Sequence, residues 1–164
     1  VATLLDALGD RIRDACATPP LLLGIHRGGA WLAESLHAAL EVGEAAGTLD
    51  IAFYRDDVST RRLNPQVQPS VLPVPVDGRD VLLVDDVLFT GRTIRAALNE
   101  IFDYGRPASV RLAVLIERSG RQLPIQADFS GLALDLPATD QVRLERGTAG
   151  LEVWLDSNTG RKAG

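Results

Sequence analysis

The chain has 164 residues, 46% of them apolar, enough for one domain with a core of its own and too apolar for disorder to be expected. A formal net charge of −5 argues against a generally nucleic-acid-binding surface, although a local basic patch survives such an average. A single cysteine, Cys16, excludes an internal disulfide and a cysteine metal cluster, no stretch reaches the length of a membrane span, and Val1 to Pro20 lacks a signal-peptide core, so a soluble cytoplasmic protein is expected.

In chain order, Leu4, Leu5, Leu8 and Ile12 recur at helical spacing, and Pro19-Pro20 ends that segment. Leu21-Leu-Leu-Gly-Ile25 reads as the first buried strand. His26-Arg-Gly-Gly29 is a tight turn, and Ala30 to Glu41 predicts a second helix with Trp31, Leu32, Leu36 and Leu40 at core spacing. Thr48 to Tyr54 predicts the next strand. From Arg55 to Arg79 the character changes to a proline-punctuated loop, in which the alternation of Val71–Val76 allows a hairpin arm. Strand 81–84, helix 91–104 and strand 109–116 then complete alternating βα units, so a mostly parallel sheet is expected. Residues 117–155 are shorter pieces broken by Pro and Gly, with strands expected at Val142–Glu145 and Leu151–Leu155. No internal repeat and no linker is visible, and one domain over residues 1–164 is predicted.

The most informative run is Val81-Leu-Leu-Val-Asp-Asp-Val-Leu-Phe-Thr-Gly-Arg-Thr93. Four apolar residues describe a central parallel strand, and Asp85 and Asp86 follow at its carboxyl end, where open α/β sheets bind ligands. Thr90-Gly91-Arg92-Thr93 then turns into a helix. Backbone N–H groups at a helix start, two hydroxyls and a guanidinium form a cradle for phosphate. The two carboxylates repel that phosphate, so they must address something uncharged or cationic nearby. Ribose hydroxyls, with Mg²⁺ in reach, meet both demands, and a sugar 5′-phosphate is the ligand this run describes. An ordinary strand–turn–helix unit needs neither paired acids nor Thr-Gly-Arg-Thr. A P-loop is excluded by the missing Gly-Lys-Ser/Thr ending, and a dinucleotide fold by the missing G-x-G-x-x-G. His26-Arg27-Gly28-Gly29, between a strand and a helix, is a second turn suited to an anion, with glycines that let backbone approach a ligand closely.

Val81–Thr93 resembles the phosphoribosyl-pyrophosphate (PRPP) signature of type I phosphoribosyltransferases. Its Asp-Asp-Val-Leu-Phe-Thr-Gly-Arg-Thr form is most similar to the pyrimidine-operon attenuator/uracil phosphoribosyltransferase family. Leu23–Ala33, Phe53–Asp57, Gly105–Ser109, Leu112–Arg118 and Leu123–Ile125 agree with that family in order, so the resemblance covers about Leu21 to Leu144. It implies an α/β fold of the type I phosphoribosyltransferase class, with a mostly parallel central sheet flanked by helices. A small C-terminal hood from about 117–155 and a flexible arm from about 55–79 go with it.

The implied reaction is uracil plus PRPP to UMP plus pyrophosphate, assisted by Mg²⁺. By that resemblance Asp85 and Asp86 hold the ribose hydroxyls and lie close to the metal. Thr90, Gly91, Arg92 and Thr93 hold the 5′-phosphate. His26, Arg27, Gly28, Gly29 and Arg55 take the pyrophosphate, Arg55 from the arm that closes over PRPP. Phe89 and Arg118 are base-proximal, Arg118 lying near the base or the pyrophosphate. Phe89 stands where 6-oxopurine enzymes of the superfamily typically have an Asp that serves the purine ring, which points away from hypoxanthine and guanine. No residue identifies itself as a general base for uracil.

The resemblance also implies a homo-oligomer and raises a different function, a messenger-RNA-binding attenuator that senses uridine nucleotides; a phosphoribosyltransferase for another base is a further alternative. RNA binding needs clustered Lys and Arg. Where such relatives are basic, this chain offsets Arg11 and Arg13 with Asp6, Asp10 and Asp14, and Gln126 to Asp135 carries no Lys or Arg. Lys occurs once, at Lys162. Catalysis is therefore expected to survive while tight RNA binding is weak or lost, unless Arg11, Arg13, Arg118, Arg121 and Arg143 converge in space.

Overall fold

Apolar strands that read as buried on both faces need a layer of helix on each side, and that is what the chain builds. The computed structural model describes residues 1–51 and 69–157. In chain order they form α1 (Ala2–Ala15), β1 (Leu21–Ile25), α2 (Gly28–Ala39), β2 (Gly47–Leu49), β3 (Asp80–Leu88), α3 (Arg92–Tyr104), β4 (Ser109–Arg118), β5 (Phe129–Leu134), β6 (Gln141–Gly147) and β7 (Gly150–Asp156). The first five strands make one parallel sheet in the order β2-β1-β3-β4-β5, and β6 and β7 pair as a separate antiparallel hairpin.

Successive residues of a strand face opposite sides, and the core divides accordingly. Leu22, Leu82, Val84, Ala113 and Leu115 pack with Leu8 and Ile12 of α1 and Leu32 and Leu36 of α2. Leu21, Leu23, Leu83 and Val114, on the other face, pack with Ile94, Ala97 and Ile101 of α3. The β6–β7 hairpin joins the first of these layers through Leu144, with Val142 and Leu151 against its edge.

Several elements depart from the sequence expectation. α2 starts at Gly28, two residues earlier than predicted, so half of the expected 26–29 turn is already helix. A Cβ on Gly24 would lie 2.5 Å from the Gly29 carbonyl oxygen and 2.6 Å from Ala30 Cα, and one on Gly29 would collide with the Val84 carbonyl. The glycines thus let the start of α2 sit directly on the ends of β1 and β3. β2 covers only Gly47–Leu49 of the predicted 48–54 strand, and residues 52–54 lie outside the described residues. Where the alternation of Val71–Val76 allowed a hairpin arm, the described residues show a single antiparallel bridge, Thr48 with Val71, and Pro73 and Pro75 supply no ladder donors.

β3 runs on to Leu88, so Asp85 and Asp86 are strand residues rather than residues beyond its end. β5 was not expected, and it moves part of the supposed hood into the central sheet. Its Phe-Ser-Gly-Leu-Ala-Leu sequence lacks β-branched residues. Gly131 is what brings it against β4, where a Cβ would lie 2.7 Å from the Leu115 carbonyl oxygen.

Candidate active site

The strand order reverses between β1 and β3: β2 follows β1 on one side, while β4 and β5 follow β3 on the other. Open α/β sheets bind ligands at the carboxyl ends of the strands beside such a switch point. Register aligns Gly24 of β1 with Val84 of β3, which places the 26–29 segment beside Asp85 and Asp86. An open cavity of about 1570 Å³ lies there, lined by His26, Arg27 and Gly28, by Asp85 and Asp86, and by Phe89 to Thr93 and Arg118. Every candidate site residue among the described ones except Gly29 lines it, and Gly29 is buried behind Gly28. Arg55 lies outside the described residues.

The two carboxylates have different surroundings. Asp85 is 5% exposed, and its Oδ1 accepts the Asp86 N–H at 3.0 Å. Asp86 Oδ1 accepts the Val87 N–H at 3.0 Å, while its other oxygen faces Gly28, where any side chain would strike it. Backbone donors thereby orient both groups. Adjacent hard oxygen ligands of this kind suit Mg²⁺, which takes one or two carboxylates and completes its shell with water and substrate phosphates. No group of three metal-ligating side chains occurs among the described residues, so the donor set fits a cation shared with substrate rather than a closed protein cage.

Thr90 and Gly91 turn the chain from β3 into α3, which begins at Arg92. Gly91 has φ +93°, a conformation that glycine tolerates, and it hands the chain into α3 without capping the helix by a side chain. The amides of the first helical turn lack intrahelical acceptors by geometry, and Arg92 N–H is steadied by Thr90 Oγ1 at 3.2 Å. The helix start therefore presents donors and a positive dipole end to the cavity.

Residues that sequence reasoning missed hold this loop in place. The Thr90 carbonyl accepts the Gln122 and Leu123 N–H groups at 3.0 and 3.2 Å, and Arg92 Nε donates to Gln122 Oε1 at 3.1 Å. Arg121 donates to the Phe89 carbonyl and, at 2.7 Å, to Glu117. Arg118 is buried with its guanidinium 4.1 Å from the centroid of the Phe89 ring, so the two residues expected near a base are in contact. Thr48 and Asp50, past the switch on the β2 side, also line the cavity. Nothing in sequence marked them, because the strand was expected to run from Thr48 to Tyr54 whereas it ends at Leu49.

A paired-carboxylate strand end lies beside a glycine turn, a glycine-led helix start and an aromatic wall, and residues 4–143 match the phosphoribosyl transferase domain, which makes this a type I phosphoribosyltransferase. The fold agrees. A purine phosphoribosyltransferase from Pyrococcus horikoshii superposes with a TM-score of 0.63 at 20% identity, over 81% of this chain and 82% of that one. A hypoxanthine phosphoribosyltransferase of Trypanosoma cruzi gives 0.62 at 22%, over 82% and 73%. Sequence is more particular. Bifunctional protein PyrR of Nitrosococcus oceani is 55% identical over 143 residues, 86% of this chain and 81% of its own. That of Pseudomonas aeruginosa is 54% identical over 125 residues, 76% and 74% of the two chains. The chain belongs to the PyrR family of type I phosphoribosyltransferases.

Proposed function

We propose that the chain is a uracil phosphoribosyltransferase that makes UMP and pyrophosphate from uracil and PRPP. The observation that carries this reading is Phe89. The residue ahead of Thr90-Gly91 is an aromatic ring under a buried arginine, with no carboxylate to serve a purine ring. Asp85 and Asp86 hold the ribose hydroxyls, and Thr90, Gly91, Arg92 and Thr93 hold the 5′-phosphate. His26, Arg27, Gly28, Gly29 and Arg55 receive the pyrophosphate, and Phe89 and Arg118 border the base. The same two aspartates are the candidate holders of Mg²⁺, which, when bound, neutralises charge on the departing pyrophosphate.

The uracil nitrogen forms the new bond to the anomeric carbon and loses its proton to the departing pyrophosphate, and the carbon–oxygen bond to pyrophosphate breaks with its electron pair going to pyrophosphate. Positive charge develops on the sugar and negative charge on the leaving group, and fixed dipoles and charges of the site stabilise both. The chain is read as one domain over 1–164, supported by the hairpin's share in the main core. Self-association is part of the same reading. Phe102 and Tyr104 on α3, and Trp154 and Leu155 on β7, are half-exposed aromatic and aliphatic side chains that suit a subunit contact. Light scattering is expected to report a dimer or larger at micromolar concentration, and a monomer would count against it.

The decisive experiment is incubation with PRPP, Mg²⁺ and, in turn, uracil, orotate, hypoxanthine, guanine, adenine and xanthine. Nucleotide is expected from uracil. Product from a purine with none from uracil would defeat the assignment of the base while leaving the phosphoribosyltransferase reading intact.

A further inference from the structure

We infer that Arg118 is a positioning residue for base binding, acting through the Phe89 ring and the 136–140 segment. The inference rests on the proposed reading for the identity of the base alone.

Arg118 ends β4 and is 4% exposed. Its guanidinium donates to the carbonyl oxygens of Asp140 at 2.5 Å, Pro137 at 2.7 Å and Leu136 at 3.5 Å, and it lies over the Phe89 ring. Among the described residues no carboxylate pairs with it, and its Nε is a buried side-chain polar atom with no hydrogen-bond partner. Burying an uncompensated cation and an orphan donor is costly, and a Met or Leu would fill the same space without either penalty. What an apolar side chain lacks is the planar fork that joins one strand end to several carbonyls while lying flat against an aromatic face.

Phe89 is held from more than one direction. Arg121 grips its carbonyl, Arg118 covers its ring, and Gly120 passes so close to the ring that a Cβ there would strike it. Phe89 immediately precedes the Thr90–Thr93 phosphate loop, and Arg118, Ala138 and Asp140 line the same cavity. Arg118 thus couples the aromatic wall to the 136–140 segment at the same cavity. Because its contacts are to Phe89 and to these carbonyls rather than to Thr90–Thr93, loss of Arg118 is expected to loosen the base site and to spare PRPP.

The test is a double-mutant cycle with Arg118→Met and Phe89→Leu. Arg118→Met is expected to raise the KM for uracil at least tenfold, with the Kd for PRPP within twofold of wild type. The double variant is expected to be no worse than the worse single one. Losses that multiply, or a PRPP affinity that falls as much as uracil KM rises, would overturn the inference. Should Arg118→Met fail to fold, Arg118→Lys keeps the charge and stem but not the fork, and the same uracil-selective rise is expected. If wild type uses another base, uracil falls and the cycle is run with that base. If no base is turned over, the cycle is read on the Kd of UMP against that of ribose 5-phosphate; equal affinities in wild type would overturn the inference.

Discussion

Asp85 and Asp86 are neighbours in sequence and both line the cavity, yet Asp85 is buried while Asp86 is partly exposed. Replacing both by Asn keeps volume and most acceptor capacity while removing two negative charges. Turnover of uracil and PRPP is expected to fall at least tenfold, about 1.4 kcal/mol of barrier lowering or more. Near-wild-type turnover of labelled uracil would remove these residues from the site. Their place at the cavity beside Thr90–Thr93 was legible in sequence because all of them sit in one uninterrupted run of a strand followed by a helix start. Arg118 was only partly legible. A surface-turn composition surrounds it, and nothing local announces that its guanidinium is buried against Phe89 and the 136–140 carbonyls. The glycines of the 28–29 turn were legible as a need for close approach, but the approach is of α2 to β3. Two backbones meeting across the sheet switch leave no mark in either segment alone.

Among the elements, the buried strands and amphipathic helices were readable because each carries its own period, 3.6 in α1 and continuous burial in β1 and β3. β5 was not, since an edge strand without β-branched residues is defined by its partner rather than by its composition. The joints between elements are where polar side chains act. Ser70 accepts the Asp50 N–H at 3.0 Å and donates to Glu100 of α3 at 2.8 Å, tying the chain just before β3 to both β2's exit and α3. Glu44, between α2 and β2, pairs with Arg79 at the entrance to β3, with Nη2 to Oε2 at 2.6 Å. The hydrogen bond from Arg79 lowers the Glu44 carboxyl below its usual 4.5, helped by the opposite charge and opposed by burial. A carboxyl depressed on folding contributes stability above its unfolded pKa and loses it as pH falls through the folded value. The pair is more than a third exposed and solvent screens it, so the contribution is small. Glu44→Gln is expected to lower the urea midpoint slightly at pH 7, by an amount that shrinks as the pH is lowered below the usual carboxylate range. A difference that stays constant as the pH falls would show that the side chain acts through packing instead.

At the scale of the whole molecule, the question is whether enough free positive charge remains for RNA. A net charge of −5 is an average, and only convergence of arginines would override it. The structure spends them internally instead. Arg13 pairs with Asp10 at 2.7 Å and donates to the Ala39 carbonyl, Arg11 donates to the Ser130 carbonyl, and Arg121 pairs with Glu117. Arg143 is held between Glu145 and Asp156, and Arg118 is buried. All five arginines that might have formed a basic face are therefore engaged within the fold. Phosphate contacts require cations that release counterions, and each such contact steepens the loss of affinity with salt. With these five arginines already engaged, we predict weak binding to a pyrimidine-operon leader RNA, little strengthened by UMP, with a shallow salt dependence. A gel-shift titration at physiological salt, repeated with UMP and at two lower salt concentrations, measures all three. Nanomolar binding enhanced by UMP would mean that these ion pairs open on the RNA, and that assembly of subunits gathers a basic surface which one chain does not display.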